Sequence, residues 1–205
     1  MVVAIVLLLA ALLLPALKGA RDKAKAAFCV NNLKQLATAY ALYGDFNQDV
    51  IGASPTGGPY PQWLIDPYLG IQEVWVNGAK SPVWDCPANP SPIVVPPDVR
   101  DGGLLSYVCN SDLWYDAGAG LKRSGVRAPE RKFLMIEHDL RFYDPGCTAN
   151  LFMQPPGAAW SWLGHNNGMN VAFCDYHVEW LPASHPGLGA WNLPGIYAHW
   201  SATSP

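Results

Sequence analysis

The chain has 205 residues, of which 50% are hydrophobic and 14% are charged, and its formal net charge is −3. This length supplies one domain plus an extended segment, and it excludes two full domains. The slightly negative net charge gives no indication of nucleic-acid binding. The 19 Gly, 19 Pro and 9 Trp indicate a turn-rich surface of the extracellular type rather than a soluble helical enzyme.

The first predicted element is an apolar helix over residues 1 to 17, a stretch without charged side chains. Such a helix measures about 25 Å, slightly less than the roughly 30 Å hydrocarbon core of a bilayer. The basic residues lie after it, between positions 18 and 25, whereas a signal peptide carries them in front. By the positive-inside rule these basic residues would place the head in the cytoplasm, whereas the cysteines indicate an oxidising compartment. To resolve this conflict, we expect further residues, some of them charged, to precede Met1 in the complete protein. The residues expected to form a membrane segment or the core of an assembly are Val2, Val3, Ile5, Leu7, Leu8, Leu12, Leu13, Leu14, Pro15 and Leu17.

The same helix is predicted to continue to residue 44, because residues 20 to 41 are rich in Ala. Apolar residues recur there at spacings of three and four, which is typical of a helix that packs one face on a domain. A helix over residues 1 to 44 would be about 66 Å long. We expect its second half, residues 18 to 44, to pack on a head formed by residues 45 to 205. The predicted packing stripe consists of Cys29, Leu33, Leu36, Tyr40 and Tyr43.

The head is predicted to contain a small antiparallel sheet. Strand-like runs occur from Leu104 to Cys109 and from Lys132 to Glu137, and a short helix is expected near Trp63 to Leu69. The remaining segments are punctuated by Pro and Gly. The predicted fold class is therefore α+β, with a long N-terminal helix packed on a small antiparallel sheet that carries long loops.

A β-hairpin is predicted around Asp175 and Tyr176. If these two residues form the loop, Val171 faces Trp180 and the apolar residues of both strands share one face. A type I′ turn requires positive φ at both loop positions, which Tyr resists at a cost of about 1 kcal/mol. Another turn type therefore stays open.

Two segments resemble type IV pilin-like proteins. The stretch LLLAALLLPALKGARDKAKAAFCVNNLKQLATAYALYGDFNQD is similar to their N-terminal prepilin-type region, and His165 precedes Asp175 by ten positions, similar to the C-terminal H-x9-D-G signature of one subgroup. The basic leader, Phe and early Glu of that family do not occur in this sequence, and Tyr176 stands where the family has Gly. The resemblance implies a type IV pilin-like fold, with His165, Asp175 and His177 in a signature hairpin.

The function implied by the resemblance is structural rather than enzymatic. It is a homo-oligomeric helical filament on the bacterial surface, whose subunits are first inserted in the inner membrane. Prepilin peptidase and a pilus or secretion assembly machinery would be the partners, with no nucleic acid. The alternatives are a pseudopilin of a type II secretion system and a membrane-anchored binding or hydrolytic domain.

A calcium site is a further hypothesis at the end of the long helix. Asp45, Asn47 and Asp49 have the alternating spacing that places oxygen atoms around a hard cation. Val50 and Thr56 stand where an EF-hand loop has Gly and Glu, so other loops would have to complete the site. Acidic and amide residues after a helix are also ordinary turn formers.

The histidines and aspartates of the second half offer another possible metal or acid/base group. His138, Asp139, His165, Asp175 and His177 are residue types that bind zinc. We favour the simpler interpretation, in which His165 and Asp175 fix the ends of one strand by hydrogen bonds.

The five cysteines lack a C-x-x-C pair, which would suggest a structural zinc site or a thioredoxin-like motif, so we expect disulfides in an oxidising compartment. We predict the pairs Cys86–Cys109 and Cys147–Cys174. Cys29 then remains as a buried thiol on the helix stripe.

Overall fold

The computed structural model describes residues 2–52, 64–71, 82–89, 106–110, 113, 121–137, 152–153 and 164–185. Its longest element is the helix α1, Val2–Phe46, which contains Pro15. Proline has no backbone N–H, so the carbonyl of residue 11 loses its helical partner, yet the helix continues through this position. The helix ends where Asn47 and Asp49 donate their backbone N–H groups to the carbonyl of Gly44, at 3.2 and 2.8 Å.

Within the described residues, seven strands form two small sheets. Strands β1 (Val50–Gly52) and β3 (Leu121–Lys122) pair antiparallel. The second sheet has the order β5-β2-β4-β6-β7 and is antiparallel except where β5 runs parallel to β2. Its strands are β2 (Tyr107–Asn110), β4 (Phe133–Glu137), β5 (Phe152–Met153), β6 (Gly168–Phe173) and β7 (Val178–Pro182).

The observed elements agree with an α+β layout of one long helix and small, mainly antiparallel sheets. Strands β2 and β4 lie within or beside the two predicted strand-like runs. The predicted short helix corresponds to a 3₁₀ helix at Asp66–Leu69, which Gly70 ends in a left-handed conformation. Trp63 itself lies outside the described residues.

The core lies between the second half of α1 and the five-stranded sheet. All five residues of the predicted helix stripe are buried, and they belong to one apolar cluster with Met135, Ala172 and Cys174 of the sheet region. Full burial of a large apolar side chain contributes about 1.5–3 kcal/mol. This cluster is therefore the main non-covalent attachment between the helix and the head.

The predicted cysteine pairing is wrong. Cys29 of α1 forms a disulfide with Cys86, while Cys109 and Cys174 are free buried thiols. Cys147 lies outside the described residues. The segment that contains Cys86 lies on the helix because Asn32 donates its side-chain N–H to the carbonyl of Asp85 at 2.8 Å.

The free thiol of Cys109 has a different partner. Its Sγ lies 2.7 Å from the hydroxyl of Tyr40 on α1. Burial raises the pKa of the Cys109 thiol to about 12. Cys109 therefore stays protonated and packs as a small, unreactive core residue.

The hairpin between β6 and β7 has a register one residue away from the predicted one. Val171 pairs with Glu179 and Asn170 pairs with Trp180. The loop has three residues, Cys174 to Tyr176, because the N–H of Tyr176 donates to the carbonyl of Phe173 at 2.8 Å and Tyr176 has φ 72°. A turn followed by one left-handed residue is a common three-residue hairpin loop. The shift moves Trp180 to the opposite face from the one predicted.

The disulfide is expected to contribute strongly to stability. Cys29 and Cys86 are 57 positions apart, and closing a loop of this length restricts the unfolded chain by about 4 kcal/mol in the chain-entropy estimate. Cys86→Ser should lower the free energy of unfolding by an amount of this order, measured by urea denaturation followed by Trp fluorescence. Cys174→Ala is the matched control, because it removes a buried cysteine without opening a loop. Equal losses in the two variants would contradict the assignment of the disulfide.

Gly168 is expected to be irreplaceable at the start of β6. A Cβ added there would lie 2.4 Å from the backbone oxygen of Leu181 and from the ring of Trp180. Gly168→Ala should therefore cost about 1–3 kcal/mol of stability, since the paired strand must move. Gly125→Ala is the control, because its Cβ would lie 3.8 Å from the nearest atom. Thermal unfolding of both variants measures the difference, and a Gly168→Ala variant as stable as Gly125→Ala would refute the close approach.

Candidate functional site

The first half of α1 is exposed. Val2, Leu12 and Leu17 are 75%, 73% and 67% exposed, and burial against the head begins only near residue 25. The free part, residues 2 to 24, is about 35 Å long. The helix is long and apolar enough to cross a membrane, as a membrane anchor or a signal sequence is. Of the predicted assembly residues, the exposed ones are Val2, Val3, Ile5, Leu7, Leu12, Leu13, Leu14, Pro15 and Leu17, while the side chain of Leu8 lies outside the described residues.

The apolar surface and the head are separated by a short charged stretch. Lys18, Arg21, Asp22 and Lys23 are all exposed and follow the apolar run directly. In a lipid bilayer, such residues lie at or beyond the interface because charges are costly in hydrocarbon. This stretch therefore marks where an apolar environment around α1 would have to end.

A buried polar cluster lies at the junction between the helix and the head. Glu137, at the end of β4, is fully buried, and its Oε1 lies 2.9 Å from Nε2 of His165. Asn170 of β6 donates its backbone N–H to Oε2 of Glu137 at 2.7 Å and its side-chain N–H to Oε1 at 3.0 Å. Burying a carboxylate is costly unless it is hydrogen-bonded in this way. The cluster is thus a built polar site within an apolar core.

The disulfide adjoins this cluster. Sγ of Cys86 lies 3.4 Å from Nε2 of His165. One ligand atom each from Cys29, Cys86, Glu137 and His165 lies within 4.8 Å of the others, and all four residues are buried. Imidazole, thiolate and carboxylate groups together are typical zinc ligands.

Tyr107 connects the cluster to the helix. Its hydroxyl donates to the backbone carbonyl of Cys29 at 3.1 Å, and Tyr107 pairs with Glu137 in the sheet. Burial, reinforced by the charge of Glu137, raises the pKa of Tyr107 above its ordinary value. The hydroxyl therefore stays protonated and acts as a hydrogen-bond donor.

The structure separates the residues of the predicted signature hairpin. His165 contacts Glu137, whereas Nδ1 of His177 lies 2.5 Å from Oδ1 of Asp175 at the surface. The ring of His177 stacks on Phe173, with ring centroids 4.2 Å apart. The strand is fixed instead by Trp180, whose Nε1–H donates to the backbone carbonyl of His165 at 2.7 Å. His138 and Asp139 lie outside the described residues.

The sequence analysis did not predict that Glu137 and Asn170 belong to a site. The available signal was a single carboxylate at the end of the apolar run FLMI, which the structure completely buries. A buried carboxylate at the end of a core strand indicates a specific partner, but the local pattern does not identify it. Asn170 gave no such signal, because it lies at a polar position of the alternating hairpin.

Two of the three residues of the calcium hypothesis contact an arginine. Nε of Arg123 lies 2.9 Å from Oδ1 of Asp49, and its Nη2 lies 3.6 Å from Oδ1 of Asp45. Asn47 instead donates its side-chain N–H to the carbonyl of Tyr43 at 2.8 Å. The guanidinium group thus already supplies positive charge to the two carboxylates, and calcium binding here stays a prediction.

Tyr176 covers the same arginine. The guanidinium carbon of Arg123 lies 5.7 Å from the centre of the Tyr176 ring, within cation–π range. Burial raises the pKa of Tyr176 to about 12. This contact lies beside the end of α1 and offsets part of the cost of the left-handed backbone at Tyr176.

Comparison with known proteins does not identify a family: no protein-family model, curated protein or solved structure matches the chain.

The ion pair at the end of α1 makes stability depend on pH. Hydrogen bonding from the backbone N–H of Ser124, together with Arg123, lowers the pKa of Asp49 below its ordinary value of 3.8. The charge of Asp49 therefore contributes stability that is fully present above pH 3.8 and is lost as the pH falls through the lowered pKa. Asp49→Asn should be less stable than the parent chain at pH 7, and the gap should narrow in acid below this value.

Melting temperatures measured from pH 7 down to pH 2 test this expectation. Asp45→Asn is the control, because its contact with Arg123 is longer and more exposed, so its loss at pH 7 should be smaller. A gap between Asp49→Asn and the parent chain that stays constant down to pH 2 would show that Asp49 does not stabilise through its charge.

Proposed function

We propose that the chain is a structural subunit of an extracellular type IV pilus-like filament on the bacterial surface. The apolar halves of α1 from many copies pack together as the filament core, and the heads lie outside. The observation that carries the proposal is a long, exposed apolar helix that is continuous with the core helix of its own head.

The exposed apolar half of α1 supports the proposal because it requires apolar surroundings. Its described leucine, valine and isoleucine side chains are exposed around the helix. Burying each of them contributes about 1.5–3 kcal/mol. A helix that is apolar all round is stable only when other apolar groups surround it. Lipid in the inner membrane fits this need before assembly, and the helices of other copies fit it afterwards.

The attachment of α1 to the head supports a role in transmitting force. The contacts that hold the second half of the helix include the buried stripe, the disulfide at Cys29 and the contact of Arg123 with Asp45. They lie along the helix from its middle to its end. A force transmitted through a helical core would therefore reach the head without depending on a flexible linker.

The disulfide supports exposure of the head to an oxidising compartment. Processing of a precursor by prepilin peptidase and assembly by a pilus machinery follow from the same proposal. A pseudopilin of a type II secretion system would use the same subunit design in a short periplasmic fibre, and a membrane-anchored binding or hydrolytic domain would use α1 only as an anchor.

The test is a charge placed in the apolar half of α1. Leu12→Lys should abolish filaments, because a lysine in an apolar helical core costs about 3 kcal/mol on the membrane-insertion scale and the change recurs in every subunit. Leu42→Lys is the matched control: it lies on the same helix and is also exposed, at 38%, but at the level of the head. Electron microscopy of sheared surface material and pelleting of the variant chains measure the effect.

Surface filaments that contain the parent chain and Leu42→Lys but not Leu12→Lys support the proposal. Equal assembly of both variants would overturn it. Extraction of the parent chain by detergent only as a monomer, without filaments, would instead indicate an anchored domain. Fibres restricted to the periplasm would indicate a pseudopilin.

A further inference from the structure

We propose that Cys29, Cys86, Glu137 and His165 bind one Zn²⁺ ion when the disulfide is reduced. In this state zinc, rather than the S–S bond, joins α1 to the head. The proposal concerns the helix–head junction and does not depend on filament assembly.

The four ligand atoms lie close enough together to bind a single ion. They lie within 4.8 Å of one another, and zinc bonds of about 2.3 Å to sulfur and 2.0 Å to nitrogen place neighbouring ligands of a tetrahedron about 3.3–3.8 Å apart. Nε2 of His165 already lies 3.4 Å from Sγ of Cys86 and 2.9 Å from Oε1 of Glu137. Opening the S–S bond moves the two sulfurs apart, toward the separation that two thiolate ligands require.

The ligands come from different parts of the fold. Cys29 lies on α1, Cys86 on the segment 82–89, Glu137 on β4 and His165 in the loop before β6. The packed core brings them together, so the positions do not depend on a local motif. This explains why the cysteine spacing did not predict a zinc site.

The surroundings of the cluster resemble the outer shell of a metal site. Asn170 donates two hydrogen bonds to the carboxylate of Glu137, and Trp180 donates one to the backbone of His165. Such contacts orient the ligands before a metal binds. Two thiolates with one imidazole and one carboxylate favour zinc over calcium or magnesium, which prefer oxygen ligands.

The disulfide form and the zinc-bound form interconvert by a reaction in which atoms and electrons balance. With a thiol reductant and Zn²⁺, the Cys29–Cys86 bond breaks, both cysteine sulfurs become zinc thiolates, and two reductant thiols join in a disulfide. The two protons of those thiols are released. In the reverse direction, a disulfide oxidant accepts two electrons from the cysteine sulfurs, the S–S bond forms again and Zn²⁺ leaves.

The test uses the full chain in detergent, with Co²⁺ as a spectroscopic probe. The chain is reduced with dithiothreitol, which is then removed without oxygen. We expect the reduced chain to bind one Co²⁺ and to show thiolate-to-cobalt charge transfer together with the visible bands of tetrahedral cobalt. One equivalent of Zn²⁺ should bleach these bands. The oxidised chain should show neither feature.

Substitutions of the proposed ligands test which residues bind the metal ion. His165→Gln keeps a polar side chain beside Glu137, and Glu137→Gln keeps the shape of the carboxylate, yet each should weaken Co²⁺ binding at least about tenfold. His177→Ala and Cys109→Ser are the matched controls, because they remove an imidazole and a thiol outside the cluster and should bind as the parent chain does. Far-UV circular dichroism of the oxidised proteins, in which the disulfide remains, verifies their folding.

The proposal is overturned if the reduced parent chain shows no thiolate–cobalt bands, or if the oxidised chain shows the same bands. It is also overturned if His165→Gln and Glu137→Gln bind Co²⁺ as tightly as His177→Ala. Should one ligand variant fail to fold, the comparison between oxidised and reduced parent chain still decides, because it involves no substitution.

Discussion

The burial of one stripe of α1 against the five-stranded sheet is the constraint on which the rest of the structure depends. Leu33, Leu36 and Tyr40 are fully buried there, in the same cluster as Ala172 and Cys174. Because this face of the helix must meet the sheet, Cys29 at the start of the stripe is placed opposite the segment that carries Cys86. The same contact makes residues 2 to 24 project away from the head as a free apolar helix.

The polar cluster at the junction is a consequence of this packing. A fully buried carboxylate would destabilise the core if it were left alone. Glu137 instead accepts hydrogen bonds from Asn170 and contacts His165, and the disulfide closes the remaining side. The covalent attachment of the helix therefore lies beside the buried contact of Glu137 with His165. The proposed assembly uses the first half of α1, and the proposed zinc site includes Cys29 near the middle of the same helix.

Elements with a strong local period were predictable. The spacing of Leu33, Leu36 and Tyr40 defines a helix face wherever that helix packs, and the run FLMIE indicates a buried strand. The hairpin register was not predictable in the same way. It depends on the length of the loop: a two-residue type I′ loop needs positive φ at both Asp175 and Tyr176. In the structure Tyr176, which contacts Arg123, has positive φ and Asp175 does not. A single residue in the loop then decides which face Trp180 occupies.

The sequence by itself determined a long helix with an apolar first half and an amphipathic second half, followed by a small β-rich head, because these properties follow from residue type and period along the chain. Only the tertiary structure decided which cysteines pair and that Glu137 meets His165. Cys29 and Cys86 are 57 positions apart, and such contacts depend on how several elements pack at once. Local propensity carries no information about which distant residues that packing brings together.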